Sequence, residues 1–345
     1  MLHVGLDLSR HRLDVRVLDD EGTSVAELKV APEGPELRRL AGRYLGRGPV
    51  RAVIESMNGA RFVHDTLELA GWDVEIADAV KVKGLAPLAC KTDRIDAFVL
   101  AELSRRDLVP AIWLPDPGVR AQRERARFRL HLVQHRVQLK NRIHASLIAF
   151  GHAYPTSDLF GVTGRGRLAT LAFPEPWASD ITACLELIDH LNDQITGIER
   201  DLRREGANHP YVPLLLTVPG ISWILAYTIA AEIGDITRFD SPKKLCGYSG
   251  LCPRVYQSGS QDRRGKLVKN GPKHLRWALV EAAIHAARHP GYVGHYQRTK
   301  IRLGHQRGAK VARIEIARKL TEAIWHMLTK GEPFAPAGPS QTLAA

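Results

Sequence analysis

The first 112 residues alternate between short apolar runs and amphipathic stretches, and this alternation constrains the fold more than any other feature. The predicted strands are His3–Leu8, Leu13–Leu18, Ser24–Val30, Val50–Ile54 and Trp72–Ile76. The predicted helices lie at about 33–45, 60–70 and 93–106. Three strands joined by hairpins, followed by helix–strand repeats, predict a mixed sheet flanked by helices, and therefore an α/β domain.

Charge is distributed unevenly along the 345 residues. Positions 1–115 carry 16 Lys and Arg against 18 Asp and Glu, whereas the rest of the chain carries 33 against 19. The formal net charge of +12 is therefore concentrated behind residue 115. A strongly basic region of this size favours a polyanionic partner such as nucleic acid, although a moderate positive charge also serves solubility.

Cysteine content and hydropathy predict a cytoplasmic protein with no membrane partner. The cysteines are too few for a disulfide framework, and none has zinc-knuckle spacing: Cys90, Cys184, Cys246 and Cys252. The amino terminus lacks the basic and apolar regions of a signal peptide. Pro213 and Pro219-Gly220 interrupt the uncharged stretch 211–231, so this stretch predicts a buried helix rather than a membrane span.

The basic part of the chain begins with a predicted helical hairpin. A linker is expected at 118–120, after Pro115-Asp116-Pro117, and it leads into a helix to Phe150 with eight basic residues and one acid. A second helix, from about Ser179 to Gly206, carries an apolar stripe typical of a coiled coil or of one face of a bundle. The stripe consists of Ile181, Cys184, Ile188, Leu191, Ile195, Ile198 and Leu202.

Residues 208–332 are predicted to be mainly helical with glycine-rich breaks. The run Leu216-Thr217-Val218-Pro219-Gly220-Ile221, followed by an apolar helix, resembles a helix-hairpin-helix, whose turn presents backbone N–H groups to a phosphate. A polar loop is expected at 256–271. Two further helices are predicted at about 272–288 and 308–329. The prolines of the tail, 333–345, predict disorder.

Four acids occupy chemically informative positions in the first 112 residues. Asp7 lies near the end of the first predicted strand, and Glu55 directly follows the apolar run Val50–Ile54. Asp93 and Asp96 are three residues apart on a predicted helix, which puts them on one side. Buried carboxylates are costly unless they are paired or bound to metal, and clustered carboxylates suit one or two Mg²⁺ ions.

Each acid also has a simpler explanation. Asp7 suits a turn, and Asp93 suits the N-cap of a helix. Glu55 suits an ion pair with Arg51 or Lys81. The placement of all four acids on two strands and one helix is nevertheless what an RNase H-like nuclease requires.

The same residues carry a resemblance to the bacterial insertion-sequence transposases of family one-hundred-and-ten, the DEDD transposases. Gly5-Leu6-Asp7, Ile54-Glu55 and the string Lys91 to Ala97 are similar to the acidic motifs of that family. The string Gly250 to Ser260 is similar to its serine motif. The other similar strings are Leu216 to Ile221, Lys269 to Arg276 and Ala317 to Leu320.

The resemblance implies a fold, a reaction and partners. It implies an RNase H-like, Holliday-junction-resolvase-like domain at 1–112, a helical or coiled-coil linker at 113–207 and a transposase domain at 208–332. The four acids would hold Mg²⁺, and Ser258 would be the nucleophile of a recombinase that excises and inserts its own element. The implied partners are target and donor DNA, a structured guide RNA, and further copies of the chain in a dimer to tetramer.

Basic residues near these motifs, together with the turn glycine, are the predicted nucleic-acid contacts. They are Arg120, Arg123, Arg127, Arg136, Lys140, Arg142, Gly220, Arg254, Arg263, Arg264, Lys266, Lys269, Lys273, Arg276, Lys310, Arg313, Arg318 and Lys319. Ser260 competes with Ser258 as the nucleophile. Two alternative functions stay open: a junction-resolving nuclease that cuts with water and without Ser258, and a catalytically inactive nucleic-acid-binding protein.

Overall fold

A computed structural model of the chain describes four stretches: residues 1–85, 93–152, 158–258 and 261–335. Within these stretches the side chains of Asp93, Arg94, Asp262 and Arg264 are not described. The chain divides into two compact units, Met1–Leu114 and Pro115–Ala345.

The first unit contains a five-stranded mixed sheet, which confirms the predicted α/β architecture. Its strands are β1 (Leu2–Leu8), β2 (Leu13–Leu18), β3 (Ser24–Val30), β4 (Val50–Glu55) and β5 (Asp73–Ala77). The strand order is β3-β2-β1-β4-β5, with the first three strands antiparallel and β4 and β5 parallel to β1. Its helices are α1 (Gly34–Gly42), α2 (Ala60–Glu68), α3 (Ala79–Leu85), which was not predicted, and α4 (Asp93–Arg105).

Helices cover both faces of this sheet. Because side chains alternate along a strand, Leu6 and Ile54 join the core beneath α1 and α2. Val53 instead joins a second core with Leu100 and Leu103 of α4. The sheet is thus the middle of three layers, and residues of β1 and β4 that share the orientation of Val53 face α4.

The second unit is mainly helical. Its elements are α5 (Pro117–Ala149), α6 (Val162–Ala169), α7 (Trp177–Ala207), α8 (Val212–Leu215), α9 (Trp223–Ile233), α10 (Pro242–Ser249), β6 (Pro253–Ser258), β7 (Gln261–Leu267), α11 (Lys273–Ala286), α12 (Pro290–Leu303) and α13 (His305–Lys330). The linker predicted at 118–120 is wrong, because these residues form the first turn of α5. Asp116 caps that helix, and its Oδ1 accepts hydrogen bonds from the N–H groups of Gly118 (2.8 Å) and Val119 (3.0 Å).

The apolar stripe of α7 packs within the same chain. Ion pairs join Arg142 near the end of α5 to Asp180 near the start of α7, and Arg125 to Glu205 at the opposite ends. The two helices are therefore antiparallel. Of the stripe, Ile181, Cys184, Ile188, Ile195 and Leu202 are buried.

Two predictions for the last third of the chain need correction. The polar loop expected at 256–271 is largely an antiparallel hairpin of β6 and β7, whose strands pair from Pro253 opposite Leu267 to Ser258 opposite Gln261. A further helix, α12, was not predicted. The stretch predicted to be a buried helix contains α9, in which residues 225–233 are all buried. Among the described residues, no helix is long and apolar enough to cross a membrane.

Candidate active site and nucleic-acid surface

Two of the predicted acids leave neighbouring parallel strands at the same edge of the sheet. The register of β1 and β4 pairs Leu6 with Ile54, so Asp7 and Glu55 are the next residues on adjacent strands. Both are half-buried. Because they follow Gly5 and Val53 at a spacing of two residues, they lie on the face of the sheet that α4 covers.

Gly5 brings α4 unusually close to β1. A Cβ atom at Gly5 would lie 1.8 Å from the carbonyl oxygen of Ala97 and 2.6 Å from the backbone nitrogen of Ala101. Real Cβ atoms essentially never come within 3.0 Å of another heavy atom. Only glycine therefore permits this helix–strand contact, a role that sequence reasoning missed.

The direction of α4 follows from a second contact. His3 Nδ1 lies 3.0 Å from the Ser104 hydroxyl, so α4 runs antiparallel to β1. His3 thus lies opposite the last turn of α4, Gly5 lies opposite Ala97, and Asp7 lies toward the first turn of α4. Asp93 and Asp96 belong to that first turn, so the fold directs all four acids to one region.

The donor set fits a divalent cation in chemistry and in backbone placement, because carboxylate oxygens are the ligands that Mg²⁺ prefers. Asp7, Glu55 and Asp96 would hold the ion, with Asp93 beside Asp96 on the chain. Among the side chains that the structure describes, no three His, Cys, Asp or Glu residues are grouped closely enough to bind a metal.

Asp14 is a further acid in this row that sequence reasoning did not single out. It pairs directly opposite Asp7 across β1 and β2, and it is only 6% exposed. Arg12 Nε donates to its Oδ2 at 2.7 Å, which offsets the burial of its charge. Strand alternation could have found it, since Asp14 and Arg16 share the face on which Arg16 lies 5.7 Å from the Phe98 ring of α4.

Ser258 is the last residue of β6, and its side chain is exposed at the end of the described hairpin. Its competitor Ser260 lies outside the described residues. Exposed cations accompany Ser258 on the hairpin and just after it: Arg254, Arg263, Lys266, Lys269 and Lys273. Arg264 belongs to the same strand, although its side chain is not described. The hairpin is therefore a strongly basic, solvent-facing ribbon.

Several other residues that were predicted to contact nucleic acid are buried or half-buried, or bond within the protein. Gly220 has a φ of +85°, and a Cβ there would lie 2.4 Å from the carbonyl oxygen of Ala282. Its immediate role is the close packing of the Pro-Gly turn against α11. Arg276 is half-buried and donates to the carbonyl oxygens of Ser249 (3.3 Å) and Lys269 (3.1 Å). On α13, Lys310 and Lys319 are exposed, whereas Arg313 and Arg318 are half-buried.

Two arginines of α5 are bound to groups at the end of α9: Arg123 is buried, whereas the side chain of Arg127 is partly exposed. Arg123 is 8% exposed and donates to the carbonyl oxygens of Ala231 (2.8 Å) and Glu232 (2.7 Å). It thereby satisfies carbonyls at the end of α9 that lack helical partners. Arg127 makes a bidentate pair with the fully buried Glu232 carboxylate at 2.7 and 2.9 Å.

The electrostatics around Glu232 are consistent with a structural role. The hydrogen bond to Glu232 raises the pKa of Arg127. Burial lowers the pKa of His274, whose Nδ1 lies 3.8 Å from Glu232 Oε1, so the ring is neutral beside the ion pair at pH 7. We therefore omit Arg123 and Arg127 from the nucleic-acid surface that the sequence predicted.

Most of the remaining positive charge of α5 faces partners on neighbouring elements. Arg125, Arg129 and Arg142 pair with acids of α7, and Arg136 donates to Asn192 Oδ1 at 2.7 Å. Lys140 lies 4.6 Å from the Phe160 ring centre, and burial lowers its pKa. Four of the eight basic residues of α5 thus join it to α7, and two more, Arg123 and Arg127, join it to α9.

Comparison with known proteins places this arrangement in a family. A model of DEDD transposases of the IS110 type matches residues 4–150, which include β1, β4 and α4. A second model, described as the transposase IS116/IS110/IS902 family, matches residues 212–298, which include the hairpin. The two matches follow each other along the chain and cover the acids and Ser258.

Three similar proteins match between 71% and 96% of the chain. The transposase for insertion sequence element IS1328 of Yersinia enterocolitica is 27% identical over 96% of this chain and 98% of its own length. The transposase for IS1111A of Coxiella burnetii is 23% identical over 82% and 78%. The pilin gene-inverting protein of Moraxella bovis is 26% identical over 71% and 68%.

The α/β unit with its row of acids and the basic helical unit are those of a transposase. The chain belongs to the IS110/IS116/IS902 family of transposases, and it is a DNA transposase or recombinase. Its substrate is accordingly DNA, and a DEDD transposase uses a divalent metal ion.

Proposed function

We propose that this transposase excises and inserts its element by Mg²⁺-dependent strand exchange, with Ser258 as the nucleophile. The observation that carries the proposal is the placement of Asp7, Glu55 and the first turn of α4 on one face at one edge of the sheet. The exposed position of Ser258 on a basic hairpin supports its role, because a nucleophile that attacks DNA needs access and nearby cations.

The serine step conserves the energy of the phosphodiester bond. The Ser258 hydroxyl oxygen loses its proton and forms a bond to phosphorus, the bond from phosphorus to the 3′ oxygen breaks, and the released 3′ oxygen takes up a proton. The product is a 5′-phosphoserine link and a free 3′ hydroxyl. A 3′ hydroxyl from another strand then reverses these events and joins the strands without an external energy source.

The residues of the chain divide this work. Asp7, Glu55, Asp93 and Asp96 would hold Mg²⁺, which would supply charge neutralisation at the reacting phosphate and lower the pKa of an attacking hydroxyl. The exposed cations of the hairpin bind the backbone on either side of the reacting phosphate. We further propose that a structured RNA from the element selects the target and donor DNA, and that two to four copies of the chain act together, with an RNase H-like fold for the first unit.

The test begins with nucleic acid that co-purifies with the full-length protein, which is sequenced and used to choose flanking DNA as substrate. Recombination and covalent protein–DNA adducts are then measured with and without Mg²⁺ and after RNase treatment. We expect both products to disappear in Ser258→Ala and in Asp7→Asn, whereas the matched control Ser260→Ala retains them.

Each alternative gives a different result. Full recombination by Ser258→Ala would transfer the proposal to a nuclease that cuts with water. Loss of activity in Ser260→Ala with retention in Ser258→Ala would move the nucleophile by two residues. An inert wild-type protein whose thermal stability does not respond to Mg²⁺ would favour a binding protein without catalysis. Recombination that survives complete RNase digestion would remove the guide RNA.

A further inference from the structure

A pocket of about 480 Å³ opens at the start of α2, just after β4. It is lined by residues of the β4–α2 loop and of the first turns of α2: Met57, Asn58, Gly59, Arg61, Phe62 and Asp65. Glu55 precedes Met57 by two residues, so their Cα atoms are at most about 7 Å apart. The pocket therefore begins two residues after the proposed metal ligand along the chain, and its volume falls within the range of about 300–1,000 Å³ typical of small-molecule sites.

The pocket exposes two large apolar side chains and one arginine to solvent. Phe62 is 51% exposed and Met57 is 46% exposed, although neither belongs to a buried core. Arg61 is also exposed, and the structure gives it no acidic partner among the described residues. An exposed aromatic ring beside an available guanidinium is the combination that proteins use to stack a nucleobase and hold its phosphate.

The Asp65 carboxylate favours entry of the base over entry of the phosphate. Asp65 accepts a hydrogen bond from His64 Nδ1 at 2.9 Å and carries a negative charge that repels a phosphate. A carboxylate is, however, a good acceptor for the exocyclic amino group of a base. The base is therefore expected inside the pocket, with the phosphate at its rim near Arg61.

We propose that this pocket binds one unpaired nucleobase of the DNA strand that is cut, stacked on Phe62. The inference rests on the proposed function, and it adds a positioning residue outside the acidic set. Stacking a base next to Glu55 fixes the distance between the reacting phosphate and the acids. Phe62 positions the strand and takes no part in bond making.

The test uses the full-length protein and a single-stranded oligodeoxynucleotide carrying 5-iodouracil, a base that crosslinks to stacked aromatic side chains on irradiation. Mass spectrometry of the crosslinked peptide should map the bond to Phe62. In cleavage assays, Phe62→Ala should raise the DNA concentration for half-maximal rate by about 5- to 150-fold, the loss typical of one stacked base. Phe62→Trp should restore it. Leu69→Ala is the matched control, because Leu69 directly follows the same helix and is 91% exposed.

The outcomes separate this inference from the proposed function. Cleavage that Glu55→Gln abolishes but Phe62→Ala leaves intact, without a crosslink at Phe62, would overturn the pocket and keep the catalytic site. A crosslink at Phe62 in a protein that never cleaves would keep the pocket and overturn the function. A change of oligomeric state in Phe62→Ala, with no crosslink, would assign the pocket to a protein contact and overturn the inference.

Discussion

Replacing Gly5 by alanine tests the central geometric claim, which is that α4 reaches the acids because β1 lacks a side chain there. The added Cβ would meet the Ala97 carbonyl oxygen at 1.8 Å, so α4 must retreat by about 1.2 Å to restore the 3.0 Å limit. Forced overpacking of this kind costs about 1–3 kcal/mol. For a unit of this size, such a loss corresponds to a decrease in Tm of roughly 4–12 °C.

The same displacement should impair catalysis beyond its effect on stability. A shift of about 1 Å in a reacting group can cost on the order of 100-fold in rate. We therefore expect Gly5→Ala to lose most strand cleavage at a temperature where circular dichroism shows it folded. Gly42→Ala is the matched control, since a Cβ at this glycine at the end of α1 meets nothing within 4 Å and should leave both properties unchanged or slightly improved. Wild-type Tm and wild-type cleavage in Gly5→Ala would refute the close approach.

Two further predictions concern the second unit. Arg127→Met leaves the buried Glu232 carboxylate without its bidentate partner and should cost about 3 kcal/mol of stability, which lowers Tm by roughly 6–12 °C. Adding Glu232→Leu should recover most of this loss. An unchanged Tm together with weakened DNA binding would return Arg127 to the nucleic-acid surface. Burial lowers the pKa of His209, whose neutral Nδ1 accepts a hydrogen bond from the Tyr211 N–H at 3.0 Å. This stabilisation is present above the ordinary histidine pKa of about 6.5 and is lost as the pH falls through the lower pKa of the folded state. Between pH 7 and pH 5, Tm should therefore fall more steeply in the wild type than in His209→Asn. Parallel curves of Tm against pH would contradict this prediction.

The sequence was most informative where one physical pattern dominates. Short runs of strand-forming residues and the turn between them located β2 and β3 to the residue. The four acids were singled out because carboxylates at the ends of apolar strands stand out, and their role as metal ligands stays a prediction. Their placement at one edge of the sheet was harder to predict, since it depends on the contact between Gly5 and Ala97, residues 92 positions apart.

The basic helix shows why charge alone was misleading. Eight basic residues in 33 resemble a nucleic-acid surface, yet the acids that neutralise many of them lie on α7 and α9, and sequence distance hides these pairs. Glu232 is an example: it sits in an apolar helix that sequence reasoning treated as plain core. The hairpin of β6 and β7 was missed for a related reason, because its polar residues lack the alternation that marks a half-buried strand.

The β6–β7 hairpin carries the proposed nucleophile Ser258 and has little support from the rest of the protein. The two strands form their own sheet, and the residues of β6 from Arg254 to Ser258 are all exposed. A two-stranded ribbon with so little buried surface has a low free energy of local opening, so its amide protons should exchange with solvent long before those of α9. The proposed nucleophile on this hairpin would be held in one position only when bound nucleic acid supplies the free energy of ordering. Unwanted DNA cleavage by protein without its bound nucleic acid would thereby be limited.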